Sequence, residues 1–309
     1  MYKTFIVWLL CFIYFSSNAQ NKQICITIDD LPVVTYGSKK EGIAKYITQK
    51  LVDTLQKYQV PAIGYVNERQ LYNKAQLDAA KVSLLAYWLE RGQSLGNHTY
   101  AHTNYHQSTF EAYKADILKG EKITRPLALE YNQALKYFRH PYLKMGQTKE
   151  RADSLQAFLV EKGYVESPVT IDNEDYLFAK AYAKAARKKD TQKMKTIGEA
   201  YLQYTQEKLT YYERLTQQIF EREIAQTLLI HVNLLNADYM PSLLQLFKKS
   251  GYTFISQTAV LKDKAYQTPV TAFGDWGISW LERWALSTGK GKGLLKESPK
   301  VPSFILEDK

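Results

Sequence analysis

Cysteine is nearly absent from this chain. There are two in 309 residues, Cys11 and Cys25, and only Cys25 lies beyond the apolar N-terminal run. A disulfide framework is therefore excluded for the body of the chain, whose stability must come from a packed core. Cys25 sits in the β-branched stretch Gln23-Ile24-Cys25-Ile26-Thr27-Ile28, where a buried thiol is the expected role rather than a nucleophile. No apolar run is long enough to span a bilayer comfortably. Internal repeats are missing, which excludes a solenoid, and no nucleic-acid motif accompanies the positive charge. Acids are in deficit, 31 Asp plus Glu against 41 Lys plus Arg, a net charge of +10. A basic balance of this size favours anionic polymers or surfaces as partners.

The first nineteen residues stand apart. Met1-Tyr2-Lys3 is followed by an apolar run from Thr4 to Phe15 and by Ser16-Ser17-Asn18-Ala19. This tripartite pattern predicts a secretory signal over residues 1–19, cleaved after Ala19, and hence a periplasmic or secreted protein with no stable membrane insertion. The small residues that a lipoprotein signal places before its cysteine are missing ahead of Cys11. Removing the leader takes away one Lys and no acid, leaving 40 Lys plus Arg against 31 Asp plus Glu, or +9.

With 45% hydrophobic and 23% charged residues, the chain can bury a sizeable core. Short β-like runs recur at Ile24–Ile28, Pro61–Val66, Ser94–Gly96, Tyr137–Arg139, Val165–Ile171, Thr227–Val232 and Tyr252–Ile255. Between them, apolar residues fall at helical spacing, as in Ile43, Ile47, Leu51 and Leu55, or Leu77, Leu84, Leu85 and Leu89. Alternation of this kind predicts an α/β fold with a parallel sheet closed, or nearly closed, into a seven-stranded barrel. The interval from Leu177 to Gln226 holds no proline and one glycine, Gly198, and reads as two long helices. Its stretch Lys180–Lys195 carries seven Lys or Arg against one acid, Asp190, the pattern of a solvated helix face or a polymer-attracting patch. Trp276, Trp280 and Trp284 recur every fourth residue, which predicts one drifting helix face that caps the core or stacks on sugars.

Polar residues gather at the strand ends, where barrel enzymes build their sites. Ile26-Thr27-Ile28-Asp29-Asp30 ends the first strand with two adjacent carboxylates, costly to bury unless a cation or a basic residue compensates them. Gly96-Asn97-His98-Thr99-Tyr100-Ala101-His102-Thr103-Asn104-Tyr105-His106 holds three of the five histidines. One carboxylate and two imidazoles make a three-ligand site with a position left open, as catalytic zinc requires. By spacing alone His98 with His102 and His102 with His106 serve equally well; the first pair lies nearer the rim of the third strand. Phe138-Arg139-His140-Pro141-Tyr142, Thr170-Ile171-Asp172-Asn173-Glu174-Asp175-Tyr176 and Leu228-Leu229-Ile230-His231 close three further strands.

This ordered set resembles the NodB-homology polysaccharide deacetylases, the fourth carbohydrate esterase family. Their motifs run Thr-Phe-Asp-Asp-Gly, His-(Ser/Thr)-x-x-His, Arg-x-Pro-Tyr, Asp-x-x-Asp-(Trp/Tyr) and Leu-x-His, and the likeness covers about residues 23 to 260. It implies a distorted seven-stranded (β/α) barrel with a helical insertion (177–226), in a domain spanning residues 20–265 and followed by a Trp-containing tail, 266–309. It implies a divalent metal, most readily Zn2+, held by Asp30, His98 and His102. Asp29 then resembles the catalytic base and His231 the acid, with Arg139 bracing the base and Asp175 tuning the acid. Tyr142 would offer its backbone N–H to an oxyanion, Tyr176 would wall the groove, and the substrate would be an acetylated polysaccharide or oligosaccharide. Leu31 in place of the first motif's glycine, and Val232-Asn233 in place of the acid after the last histidine, depart from the pattern and point to a remodelled groove. Two histidines and a carboxylate also suit a non-haem iron oxygenase, yet those enzymes open with a His-x-Asp/Glu pair that is missing here. A carbohydrate-binding protein that has kept the barrel but lost turnover would lack a base or an acid, and both are present.

Overall fold

A computed structural model of the protein describes residues 22–307. The leader read from residues 1–19, its cleavage point and Cys11 lie outside the described residues. Eight strands make one sheet: β1 (Lys22–Leu31), β2 (Ile63–Val66), β3 (Ser94–Asn97), β4 (Tyr137–Phe138), β5 (Val165–Glu166), β6 (Ile171–Asp172), β7 (Gln226–His231) and β8 (Tyr252–Phe254). Their order is β5-β4-β3-β2-β1-β7-β6, with β8 also on β1, and every pairing is parallel. The sheet curls into an open half-barrel flanked by helices. β1 lies at its centre and is buried throughout from Ile24 to Asp29, as expected of a strand covered on both faces.

The expected single strand Val165–Ile171 is two, because Pro168 cannot donate to a ladder. The stretch instead crosses the seam of the barrel. Ser167 N–H bonds to Phe138 O at 2.9 Å beside one edge, and Thr170 N–H bonds to Thr227 O at 3.1 Å beside the other.

Helix Ile43–Lys57 buries Ile47, Leu51 and Leu55, and helix Ala79–Glu90 buries Leu84, Leu85 and Leu89, as their spacing predicts. Leu77 lies outside the latter helix, exposed in a two-stranded hairpin with Tyr72–Asn73. The interval before β7 forms helices Asp175–Arg187 and Thr191–Phe220. Trp276 departs from the expected stripe. The helix starts only at Trp280, where Ser279 and Glu282 form a reciprocal N-terminal cap. Trp280 and Trp284 are buried, Trp280 N–H bonds to Val169 O across the seam, and Trp284 meets Phe220 and Tyr266 edge-on. Both indoles are core. Among the described residues no helix is long and apolar enough to cross a membrane.

Candidate active site

The C-terminal ends of β1, β3, β4 and β7 open on one cleft of about 480 Å³. Successive residues of a regular strand point to opposite faces, so Asp29 and Asp30 should diverge. The register of β1 against β2 shifts between Ile28 and Leu31, and Asp30 adopts φ 64°. That irregularity turns both carboxylates into the same cleft.

Asp30, His98 and His102 form a cluster whose ligand-type atoms all lie within 4.8 Å of one another. Asp30 Oδ1 is 3.9 Å from His98 Nε2 and 3.7 Å from His102 Nε2. The two histidines are not on a helix; Thr99 and His102 have φ of 64° and 54°, and the loop turns both rings inward. His98 Nδ1 donates to Arg139 O at 2.8 Å, which fixes the ring and leaves Nε2 as a free lone pair. Burial, reinforced by His102, holds the His98 imidazole well below its usual range and therefore neutral. Asp30 Oδ1 is buried with no hydrogen-bond partner, although it faces two imidazole nitrogens. A buried acceptor left without a donor is costly, and a divalent cation among these three atoms removes that cost. The donor set of two nitrogens and one oxygen fits such an ion.

His106 is elsewhere. Its Nδ1 meets Asp275 Oδ1 at 2.9 Å and its Nε2 accepts Gly146 N–H at 3.0 Å, so both ring nitrogens are engaged. It ties the loop after β4 to the C-terminal segment.

Asp29 is 2% exposed, and its Oδ2 lies 3.7 Å from Arg139 Nη1 and 3.7 Å from His98 Nε2. Burial raises its carboxyl above the usual range, against the pull of Arg139. Arg139, fully buried, donates from Nη2 to Thr27 Oγ1 at 2.9 Å and stacks on Tyr65 at 4.6 Å. Across the cleft, His231 Nδ1 meets Asp175 Oδ1 at 2.7 Å, and His231 N–H donates to Asp175 Oδ2 at 3.0 Å. Burial alone would lower the His231 imidazolium, but Asp175, with Asp30 and Asp29 behind it, pushes it up to about 10.

Tyr142 has φ 57°, its ring is exposed and meets His102 edge-on at 4.4 Å. Its carbonyl packs flat on Gly277, where a Cβ would fall 1.9 Å from the oxygen; only glycine fits there. Arg283 Nη2 donates to Leu143 O at 2.8 Å and to Trp276 O at 3.2 Å, so the C-terminal segment holds this wall in place. Tyr176 forms the opposite wall, its ring 6.1 Å from His231.

Several participants escaped sequence reasoning. Asn233 and Asn236 donate to Asp175 Oδ2 at 2.9 and 2.6 Å, and Tyr201 OH donates to Asn236. Asn233 was visible only as a departure from the last motif; its N-cap bond to Asn236 N–H is the signal that ties it to a helix start. Tyr36, whose OH reaches Tyr176 O, also lines the cleft, and nothing local in sequence marks it.

Comparison with known proteins is consistent with this geometry. Residues 16–158 match the polysaccharide deacetylase family. A curated peptidoglycan-N-acetylglucosamine deacetylase of Bacillus cereus is 26% identical over 161 residues, 52% of this chain and 51% of that protein. The chain thus matches about half the length of that relative. Among solved structures, a polysaccharide deacetylase from Bacillus cereus superimposes with TM-score 0.50 at 18% identity, covering 76% of this chain and 91% of that one. A pseudoenzyme of carbohydrate esterase family 4 from Bacillus anthracis gives TM-score 0.52 at 14% identity, covering 78% and 66%. At such identities the likeness is one of fold, and it spans a protein named a deacetylase and one named a pseudoenzyme alike.

Proposed function

The chain belongs to the polysaccharide deacetylase family, and on that premise we propose that it is a metal-dependent hydrolase removing acetyl groups, N-acetyl foremost, from a cell-wall or exported polysaccharide. The observation that carries the reading is the placement of an Asp29–Arg139 pair and a His231–Asp175 pair on either side of the Asp30, His98 and His102 cluster.

Asp30, His98 and His102 would hold the ion, with zinc the best match to the donor set. When bound, such an ion supplies Lewis-acid polarisation of the acetyl carbonyl and an acidified water. Asp29, its basicity raised by burial and its position fixed by Arg139, takes the proton from the attacking water. His231, protonated through neutral pH because of Asp175, delivers a proton to the departing nitrogen. The Tyr142 backbone N–H donates to the oxyanion. Tyr176 and Tyr142 offer ring faces to the sugar. The curated relative is named for peptidoglycan N-acetylglucosamine, which supports a cell-wall glycan as substrate and a periplasmic or secreted location.

The existence of an inactive structural neighbour raises a second reading, a glycan-binding protein without turnover. Against it stands a base and an acid each held by its own charged partner. Acetate release from acetylated glycans by zinc-loaded protein decides between them. Release from at least one substrate is expected; full zinc occupancy with no acetate from peptidoglycan, chitin oligomers or acetylated xylan would leave the binding reading.

A further inference from the structure

Beside the catalytic cleft lies a second, larger groove of about 820 Å³. It is framed by the loop after β1, helix Ile43–Lys57 and helix Asp175–Arg187. The two share Val34 and Tyr36 in their linings, so the groove continues the cleft rather than standing apart from it. Tyr36 stands at the junction, its carbonyl held by Arg187 Nη1 at 2.6 Å and its hydroxyl bonded to Tyr176 O at 3.3 Å.

The charge of this groove is one-sided. Lys39, Lys40, Arg187 and Lys189 line it, all exposed, and among the described residues the three lysines make no ion pair. The one acid in the lining, Asp238, is already engaged by Lys50 Nζ at 2.5 Å and Tyr182 OH at 2.8 Å. Two acids nearby do not offset this. Asp190 caps helix Thr191–Phe220 through Lys193 N–H at 2.9 Å, and Glu41 is exposed outside the lining. The floor is apolar, with Ile43, Ile47 and Met194. An apolar floor with an aromatic gate and an uncompensated cationic rim suits a sugar strand that carries anions, because sugar faces stack on rings while surface cations select charge.

We propose that this groove is a subsite for an anionic stretch of the glycan, so that the polymer deacetylated at the cleft bears carboxylate or phosphate groups on neighbouring units. The proposal rests on the reading of the cleft as a glycan-processing site. It also accounts for the location of part of the chain's excess charge, since the basic stretch Lys180–Lys195 supplies Arg187 and Lys189 to the groove.

The test measures direct binding and acetate release for the zinc-loaded protein and for the Lys39→Ala, Lys40→Ala, Lys189→Ala triple variant. Three acetylated oligosaccharides of equal length serve as probes: one neutral, one bearing carboxylates and one bearing phosphates. Surface ion contacts are individually weak, so the loss of three should weaken binding of an anionic oligomer ~10-fold at low salt. The neutral oligomer should change less than about twofold, and high salt should erase the difference. Preference for the carboxylate or the phosphate probe identifies which anion the groove takes. Equal weakening of neutral and anionic probes, or none for any, overturns the proposal. The expected binding pattern without acetate release would retain the groove and remove the deacetylase reading; acetate release with no anion preference would do the reverse.

Discussion

At the residue scale the sharpest contrast is between two neighbours. Asp29 and Asp30 are adjacent in sequence and open on one cleft, yet Asp29 is paired with Arg139 and Asp30 faces two imidazole nitrogens. Asp29→Asn should keep its metal and lose about 10²- to 10⁴-fold in rate, the usual cost of a missing general base. Asp30→Ala should lose metal affinity itself and recover in part with excess zinc. Elemental analysis beside acetate release separates the two, and an Asp29→Asn protein that deacetylates normally would remove Asp29 from its role. A second expectation concerns His231. Asp175 holds its pKa above the ordinary histidine value, so the proton-donating form persists through neutral pH and the rate falls only as pH rises into the alkaline range. Asp175→Asn removes the anion that opposes burial, and the descending limb should move toward the ordinary histidine value of about 6.5. A limb that stays in place would show that another group sets it. The residues named in both arguments were legible because they lie at or just past strand ends and fall in motif order. Thr27, Asn233 and Asn236 were not, because their roles depend on partners far away in the chain, such as Arg139 and Asp175.

At the scale of elements, periodicity found the long helices and most of the sheet, since burial imposes the period directly. It failed where the chain is irregular for a purpose. Pro168 breaks one expected strand into the bridge that spans the seam, and the Trp276 spacing suggested a helical turn where the chain is irregular ahead of the Ser279 cap. The three equally spaced histidines are the instructive case. Spacing alone left two pairs equal and rim position favoured the first; His98 and His102 do turn into the cleft while His106 clasps Asp275 and Gly146. His106→Ala should therefore keep near-normal zinc content while loosening the loop that carries Tyr142. A moderate fall in kcat/KM is expected with metal stoichiometry intact. Loss of metal as severe as in His98→Ala would place His106 among the ligands instead.

For the whole molecule, the scarcity of cysteine and the abundance of base are linked to how the fold is held and what it meets. Cys25 is fully buried in β1 and burial pushes its thiol up to about 12, so it contributes packing and no cross-link. Stability then rests on the apolar core around the central strand and on whatever binds the native state alone. The cluster of Asp30, His98 and His102 exists only when β1 and the loop after β3 are brought together, and the unfolded chain has no such site. Binding of zinc must consequently stabilise the fold by mass action, about 2.7 kcal/mol when free metal is 100 times its dissociation constant. For a chain of 309 residues, larger than the usual single domain, each kcal/mol corresponds to about 1.5–2 °C in melting temperature. Chelation should thus lower the wild-type Tm by about 4–5 °C relative to zinc-saturated protein, whereas Asp30→Ala should melt alike in chelator and in equimolar zinc. Because the comparison is made on each protein with and without metal, any general destabilisation by the substitution cancels. A wild-type Tm indifferent to both zinc and chelator would mean that these three residues hold no metal, and that the buried, unpartnered Asp30 oxygen is satisfied in some other way.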